Sequence, residues 1–529
     1  MRVTKSKSTT KSKGRSGRSS SRVAEARSAS VSLAASSTKD SSELSTYEAP
    51  MPWHPPAYMT AVRKWLNVHV FGGVLLDPGM GKTSVTLAVF CDAQKALDKE
   101  LKVKGLSPEQ RRAKRLRAVV IAPRRVVHRV WPAECAKWAE FSHLQVAVCH
   151  GSIKIRERAV REDADLYAMT HEGAQWFLDG SHHIRLDTRV LIVDELSKFK
   201  RGTTQRHKKI RPYLAFFTRR ICLTGSFTPK SLLDAWGEVF IIDQGKALGR
   251  WFSHFRSEFF TPSGYLGYNW LPKPDTERIM LARLKDTCIS LEAKDFISLP
   301  ELVVDDILFD LPPDVRIAYS EMEKELLTFV DDDRVTAPNA AVAQMKCRQI
   351  TSGGLYTAPG EATLVHEGKL EILEDLLDEL QGKPLFVIFE FKFEAQAIQQ
   401  RFGTKTHPVP IIDGSTSDKR ADEYLDQWNR NELPLLCVQA QAMSHGVNAQ
   451  EGNASHILAM SLPWDFEIFD QIIRRIWRSG NKSSHVFLHR ALARDTVEQD
   501  IAKVLLKKEK NQRDFVSALK LRAKNLKVC

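Results

Sequence analysis

The sequence predicts an α/β protein with two lobes, each built on a parallel β-sheet, and three observations lead to this prediction. A chain of 529 residues is too long for one ordinary domain. Short β-branched or leucine-rich segments alternate with helix-like stretches over residues 49–250, and a second series of this kind runs from about 301 to 500. Such alternation is typical of parallel sheets covered by helices.

The strand candidates define the two lobes, and the segments around them define the rest of the chain. The predicted parts are a disordered basic tail (1–48), a first lobe (49–250), an irregular aromatic insertion (251–305), a second lobe (306–500) and a basic amphipathic helix (501–529). Aromatic side chains of the insertion could stack on bases, but packing against the lobes is favoured. The strand candidates are Gly73–Leu76, Ala118–Ala122, Leu144–Cys149, Val190–Val193 and Arg220–Leu223 in the first lobe, and Leu385–Phe389, Pro410–Ile412, Leu435–Gln439, His456–Met460 and His485–His489 in the second.

Composition limits the classes of function. Hydrophobic residues make up 43% and charged residues 27% of the chain, which is typical of a soluble protein with a core. No apolar run reaches the roughly 18 residues of a membrane span, and the N-terminus lacks the apolar core of a secretory signal. The eight cysteines form no CxxC pair, which argues against a zinc site or a disulfide framework and favours a reducing compartment.

The positive charge points to a polyanionic partner. The formal net charge is +14, and residues 1–48 hold ten basic and four acidic side chains. Such a balance favours nucleic acid, since phosphate binding is largely electrostatic, although simple solubility is the alternative. The tail itself is open to three interpretations: a nucleic-acid-binding arm, an organelle transit peptide or a solvated segment. The cytoplasm is the expected location, with the nucleus or an organelle left open by the tail.

A glycine-rich turn follows the first predicted strand, in the sequence "GGVLLDPGMGKTSVTLAVF". Gly79 and Gly81 allow backbone N–H groups to curl around a phosphate, and the next helix presents the positive end of its dipole. Lys82 is placed to reach the terminal phosphates of a nucleotide, and the Thr83 hydroxyl to bind Mg²⁺. Leu76 stands where the full phosphate-loop pattern has its first glycine, so the prediction depends on the core of the pattern and its strand–turn–helix context.

Two further patterns add charged groups that such a loop needs. In "RVLIVDELSKFK", an apolar strand ends in Asp194 and Glu195, the place where a phosphate-loop fold holds its Mg²⁺ and activates water. In "QIIRRIWRSGN", Arg474, Arg475 and Arg478 share one helix face or adjacent faces. Three arginines at one helix end are usually solvated, but a motor needs a cationic group that the second lobe brings to the γ-phosphate.

The order of these blocks resembles superfamily 2 helicases, specifically the Swi/Snf-like branch and its compact phage-encoded versions. The resemblance covers roughly residues 49–505, through seven blocks in the right order. "DPGMGKT" resembles motif I, "VVIAPRRVVHRVWPAECAKW" motif Ia, "VLIVDELS" motif II in its DExx form, "ICLTGSFTPKSLLDAWGEVFIID" motif III, "PLFVIFEF" motif IV, "LCVQAQAMSHGVNAQEGNASHILAMSLPWDFEIFDQ" motif V and "QIIRRIWRSGN" motif VI.

The resemblance implies two RecA-like P-loop lobes that bind ATP and Mg²⁺ in the cleft between them. It also implies a role for each matching residue. Nucleotide binding falls to Gly79, Gly81, Lys82 and Thr83, metal binding to Thr83 and Asp194, catalysis to Asp194, Glu195, Gln471, Arg475 and the arginine finger Arg478, and coupling between the lobes and nucleic acid to Thr224, Ser226, Gly446 and Asn448.

Some residues depart from the family pattern or lie beside it. Tyr58 stands near the position where the family has a glutamine that reads adenine. Trp477 and Asn481 replace the usual His and Gln of motif VI. The family does not require an arginine at position 474. Arg124 and Arg125 follow the motif Ia strand, where they could grip DNA phosphates. A basic cluster after motif II is as consistent with a solvated loop as with DNA binding; it comprises Lys198, Lys200, Arg201, Arg206, Lys208, Lys209 and Arg211.

The expected function is therefore that of an ATP-dependent helicase or translocase, with duplex DNA as the favoured partner and no membrane involved. Three alternatives stay open: an RNA-directed helicase, the motor subunit of a restriction or nuclease complex, and a DNA-binding protein that does not hydrolyse ATP. Intact Lys82, Asp194, Glu195 and Arg478 argue against the last. Partner proteins from replication, recombination or a nuclease assembly also stay open.

Overall fold

The computed structural model describes residues 49–182, 187–225, 232–263, 269–331, 337–358, 361–404, 406–443, 448–503 and 505. The predicted tail over residues 1–48 and most of the predicted C-terminal helix, residues 504 and 506–529, lie outside the described residues.

The first lobe is built on a parallel sheet of seven strands in the order β3-β4-β2-β5-β6-β1-β9. Its central strands are apolar and buried along most of their length, as parallel strands covered by helices are. The strands are β1 (Phe71–Leu76), β2 (Arg117–Ile121), β3 (Val146–Val148), β4 (Leu166–Met169), β5 (Thr188–Asp194), β6 (Arg219–Thr224) and β9 (Cys288–Leu291), and the hairpin β7 (Phe260–Ser263) and β8 (Asn269–Pro272) stands apart from this sheet.

The second lobe is built on a parallel sheet of six strands in the order β10-β17-β16-β13-β15-β14. The strands are β10 (Glu301–Phe309), β13 (Leu385–Phe389), β14 (Ile411–Ile412), β15 (Leu435–Gln439), β16 (His456–Ala459) and β17 (His485–Ala493), and a separate hairpin joins β11 (Gly354–Ala358) to β12 (Glu361–Leu364). In both lobes the predicted parallel α/β architecture is confirmed.

Helices cover the two sheets, and none in the described ranges is long and apolar enough to span a bilayer. In the first lobe they are α1 (Ala57–Val68), α2 (Lys82–Val103), α3 (Pro108–Ala113), α4 (Trp131–Lys137), α5 (Ile153–Arg161), α6 (His171–Asp179), α7 (Gln205–Ile210), α8 (Ala235–Asp243), α9 (Phe252–Phe259) and α10 (Thr276–Leu284). In the second they are α11 (Pro313–Asp331), α12 (Ala337–Thr351), α13 (Gly368–Leu380), α14 (Lys392–Phe402), α15 (Asp418–Asn429) and α16 (Phe466–Ile473), followed by helical residues 497–503. Short helical turns lie at Val126–Val130, Leu196–Phe199, Arg211–Phe216 and Ala293–Asp295.

All ten predicted strands are confirmed, with ends that shift by up to four residues. Three strands of the two sheets were not among the candidates: β4, β9 and β10. Strand β10 is exposed along much of its length at the edge of its sheet, so it lacks the apolar run by which the buried strands were recognised.

The prediction of an irregular insertion over residues 251–305 is wrong for most of that range. Helices α9 and α10 and the β7–β8 hairpin pack on the first lobe, with Phe255, Phe259 and Phe260 buried in its core. Strand β9 then pairs with β1 at the edge of the seven-stranded sheet. The segment shows no sequence period because its elements are short. The three phenylalanines pack in the core of the first lobe, as the sequence favoured over base stacking.

A buried ion pair fastens the second lobe. Lys369, near the start of α13, places its Nζ 2.5 Å from Glu498 Oε1, and the two side chains are 2% and 5% exposed. Glu498 Oε2 accepts a hydrogen bond of 2.9 Å from the backbone N–H of Ala493. Removal of one partner would leave the other charge buried without compensation, which is far more costly than the net contribution of the pair.

We expect Lys369→Met to lower the free energy of unfolding by about 3–5 kcal/mol, measured by urea unfolding. Arg401→Met is the control, because Arg401 pairs with Glu367 and Glu374 on the surface, where solvent screens the interaction. Equal and small losses for the two variants would show that the buried pair has no special cost when broken.

Candidate active site between the two lobes

A cleft of about 980 Å³ lies between the two sheets and collects side chains from both lobes. Because the carboxyl ends of parallel strands are where ligands bind in α/β folds, the motifs that follow these strands meet there. Predicted site residues that line the cleft are Gly79, Gly81, Lys82, Thr83, Asp194, Glu195, Asn448, Gln471, Arg475 and Arg478.

The loop between β1 and α2 has the geometry of a phosphate cradle. Gly79 and Gly81 both adopt left-handed backbone angles, with φ of 88° and 68°, which a side chain would strain. Gly81 caps α2 without a side-chain acceptor, so the N–H groups of the first helical turn remain available to an anion. A Cβ atom built on Gly79 would lie 3.1 Å from Arg478 Nε, so the loop faces the second lobe closely.

Lys82 lies at the base of this loop. Its Nζ donates hydrogen bonds to the carbonyl oxygens of Leu76, at 2.6 Å, and Asp77, at 3.3 Å. Burial lowers the pKa of Lys82, while the Asp194 and Glu195 carboxylates oppose that shift. The ammonium is thus held by the loop backbone in a position from which it reaches into the cleft.

The two carboxylates of motif II lie at the carboxyl end of β5. Burial raises the pKa of Asp194 to about 6, an effect that Lys82 opposes and Glu195 increases. Trp131 Nε1 donates to Asp194 Oδ2 at 3.3 Å, and Ser197 Oγ donates to Glu195 Oε1 at 2.7 Å. Glu195 has a positive φ of 65°, an uncommon backbone conformation for a residue with a side chain and one that is concentrated at functional sites.

Arginines of the second lobe enter the cleft from the end of α16 and the turn after it. Arg478 Nη1 donates to Asn448 Oδ1 at 2.6 Å, while its buried Nε makes no hydrogen bond within the described residues. Burial, with Arg478 adding to the effect, lowers the pKa of Arg475 to about 10, and burial also lowers the pKa of Arg478. The buried Oε1 of Gln471 likewise lacks a hydrogen bond in the part of the chain that the structure describes.

These shifts indicate the kind of ligand that fits. Burial lowers the pKa of three cationic groups, Lys82, Arg475 and Arg478, so each positive charge around the loop carries a desolvation cost. An anion would compensate it. The Asp194 carboxylate and the Thr83 hydroxyl supply oxygen ligands of the type that Mg²⁺ prefers. The residues present therefore fit a nucleotide phosphate with its metal ion.

The structure describes two of the four residues predicted to couple the lobes. Thr224, at the end of β6, is buried in register with Leu75 of β1, immediately beside the phosphate loop. Asn448 lies in the cleft against Arg478. Ser226 and Gly446 lie outside the described residues.

The predicted DNA-contacting arginines face carboxylates of the second lobe in this conformation. Arg124 and Arg125 lie 3.0 and 3.6 Å from Asp418 on α15, and Arg129 pairs with Asp422 one turn further along that helix. In the basic cluster after motif II, three members are also paired: Lys200 with Glu467, Arg206 with Glu172 and Lys209 with Asp179. DNA contact by any of these side chains stays a prediction.

Sequence reasoning missed several residues that shape the cleft. Asp77 opens the phosphate loop, and its Oδ2 accepts a hydrogen bond of 2.8 Å from the backbone N–H of Ala293. Trp131 and Ser197 hold the two motif II carboxylates. Asp77 and Ser197 stand inside recognised motifs, but their partners are set by tertiary contacts that no spacing reveals.

Two parallel-sheet lobes around a phosphate loop, an acidic pair and inserted arginines define the class as a two-lobed P-loop ATPase. The sequence profile of the SNF2-related domain matches residues 35–342, and that of the helicase conserved C-terminal domain matches residues 368–480. The chain belongs to the SNF2-related family, and the two matched domains together indicate a nucleic-acid-dependent ATPase. The resemblance inferred from the motifs is confirmed.

Individual relatives differ in how much of them the chain covers. Protein p41 of Acyrthosiphon pisum secondary endosymbiont phage 1 is 28% identical over 80% of this chain and 89% of its own length. YwqA of Bacillus subtilis, whose name describes an ATP-dependent helicase/translocase, is 22% identical over 83% of this chain and 46% of its own length. The chromatin-remodeling ATPase INO80 of Aspergillus niger is 26% identical over 41% of this chain, which spans only 13% of that protein.

A solved structure that matches over most of this chain is the Sulfolobus solfataricus SWI2/SNF2 ATPase core in complex with dsDNA. It is 20% identical, covers 91% of this chain and 97% of its own, and has a TM-score of 0.40.

Lys82→Ala is expected to abolish ATP hydrolysis and weaken ATP binding, because it removes the point charge at the base of the phosphate loop. Lys95→Ala on the exposed side of α2 is the matched control and should behave like the wild type. Turnover and nucleotide affinity are measured on protein whose circular dichroism matches the wild type. Wild-type turnover in a folded Lys82→Ala variant would contradict the assignment of this loop.

Proposed function

We propose that the protein is an ATP-driven translocase that moves on or remodels duplex DNA. The observation that carries this proposal is the meeting of the lobes at the phosphate loop, where Arg478 of the second lobe lies so close to Gly79 of the first that a Cβ atom added to Gly79 would stand 3.1 Å from Arg478 Nε. When such a cleft opens and closes, each turnover alternates between two arrangements of the lobes. If a nucleic-acid strand is bound across both lobes, this alternation moves the protein along the strand.

Each site residue has a role in this proposal. The loop amides and Lys82 bind the phosphates, and Thr83 and Asp194 would hold a Mg²⁺ ion that neutralises phosphate charge. Glu195 orients and activates water, with its carboxylate held by Ser197. ATP supplies the phosphoryl group that water attacks in line, and no covalent intermediate is formed.

The second lobe completes the site. Arg478, which Asn448 steadies, neutralises charge that develops on the transferred group, and Arg475 and Gln471 lie beside it in the cleft. Thr224, which pairs in register with Leu75 of β1, couples the two lobes in this proposal.

Duplex DNA is the proposed substrate for three reasons. The chain carries a net charge of +14, which suits a polyanion. Its relatives include a protein named a helicase/translocase and others named chromatin-remodeling ATPases. Arg124 lies 62% exposed at the carboxyl end of β2, where a phosphate could replace Asp418. Similarity to a phage protein supports action in the cytoplasm of a host cell.

Duplex DNA should stimulate ATP turnover more than single-stranded DNA or RNA of equal length. The measurement is steady-state phosphate release with each nucleic acid in turn, at the same nucleotide concentration and salt. Stimulation by RNA alone would contradict the DNA assignment and favour an RNA-directed helicase, and no stimulation by any of the three would favour a DNA-binding protein without motor activity.

Arg478→Ala is expected to separate nucleotide binding from hydrolysis. ATP affinity should change little, since Lys82, Thr83 and the loop amides remain, whereas single-turnover hydrolysis should fall by roughly 10³-fold or more, the range of arginine fingers. Arg494→Ala is the control, because Arg494 is a half-exposed arginine of the same lobe that pairs with Asp310 outside the cleft. Equal hydrolysis by the two variants would refute closure of the lobes as the catalytic step.

A further inference from the structure

Arg474 stands in motif VI at a position where the family pattern needs no arginine, yet it lies between two carboxylates of different lobes. Its Nε lies 2.8 Å from each carboxylate oxygen of Asp470, one turn back on α16. Its Nη1 lies 3.8 Å from Oδ2 of Asp77, the residue that opens the phosphate loop of the first lobe. The Arg474 side chain is 14% exposed, so this contact is shielded from solvent.

The charge balance around Arg474 differs from that of the neighbouring arginines. Burial lowers the pKa of Arg474, but the Asp470 and Asp77 carboxylates raise it above the ordinary value, whereas the pKa of Arg475 and of Arg478 is lowered. Arg474 is therefore already compensated by protein and does not need a ligand anion. Arg474 thus has one carboxylate partner in each lobe, which suits a role between the lobes.

A second departure from the family pattern supports the same contact. Trp477, which stands in place of the usual histidine, donates its Nε1 hydrogen bond to the carbonyl oxygen of Pro300 at 2.8 Å. Pro300 lies between β9 of the first lobe and β10 of the second. The Arg474 guanidinium lies 5.0 Å from the centre of the Trp477 ring, so the two residues brace each other.

We propose that Arg474 is a positioning residue that ties closure of the second lobe to the phosphate loop through Asp77. This inference rests on the proposed function. Asp77 also accepts the N–H of Ala293, and its own carbonyl oxygen accepts a hydrogen bond from Lys82. Movement of α16 towards the first lobe would thus act through the Arg474–Asp77 ion pair on the residue that helps to place Lys82.

The test is a double-mutant cycle with Arg474→Ala and Asp77→Asn. Asp77→Asn removes the charge and keeps an oxygen for the Ala293 N–H. Each single variant should lower kcat for DNA-stimulated ATP hydrolysis, with a smaller change in KM for ATP, because Lys82, Thr83 and the loop amides stay in place. The double variant should be no slower than Arg474→Ala alone. Its kcat should therefore exceed the value expected for two independent effects by about fivefold or more. Arg474→Lys, which keeps the cation, should restore part of kcat.

A cycle of Arg490→Ala and Asp306→Asn is the control, because this pair of a buried arginine and an exposed carboxylate, with Nε 2.6 Å from Oδ1, joins β17 to β10 within the second lobe. It should lower thermal stability and leave kcat unchanged. Additive losses of kcat in the Arg474–Asp77 cycle would overturn the inference. A normal kcat for Asp77→Asn would also overturn it, and this measurement stays decisive if Arg474→Ala does not fold. Wild-type protein without DNA-stimulated hydrolysis would overturn the proposed function itself, a different outcome from an active wild type with an additive cycle.

Discussion

Buried charge in the cleft is the constraint on which the rest of the structure depends. Lys82 of the first lobe and Arg478 of the second are half-buried in the cleft and Arg475 is buried there, and burial lowers the pKa of each. Asp194 lies half-buried among them, and burial raises its pKa to about 6. Groups of both signs are thus held in a state that costs free energy. A ligand with negative phosphates and a divalent cation offsets both costs at once, which no single neutral ligand does.

The same constraint explains why charged pairs across the lobe interface have different strengths. Arg474 and Asp77 meet in a shielded place, so their attraction is little screened. Arg124 and Asp418 meet at the rim, where the two side chains are 62% and 42% exposed and the pair contributes little. The rim pairs therefore cost little to break, whereas the shielded inner pair costs more. The interface between the lobes combines a shielded ion pair beside the phosphate loop with exposed ion pairs at its edge.

Most of the fold and most of the cleft residues follow from the sequence, because both depend on short local patterns. An apolar run that ends in Asp194, or a Gly79-x-Gly81-Lys82 turn between a strand and a helix, specifies its own geometry whatever surrounds it. Strand β9 and its neighbours were missed because their period is too short to read and their burial depends on the rest of the lobe. The partner of Arg474 was out of reach for a related reason, since Asp77 lies in the other lobe and only the packed structure brings the two together.

Asp77 is the point where these separate contacts converge. The chain leaves the first lobe through β9, and directly after that strand the N–H of Ala293 binds the Asp77 carboxylate. The connection continues to Pro300, whose carbonyl oxygen binds Trp477, and Trp477 lies against Arg474, which contacts Asp77 again. The covalent link between the lobes and the ion pair between them therefore end on the same side chain. Any rotation of the second lobe about its connection must change the surroundings of Asp77, and through it the loop that holds Lys82.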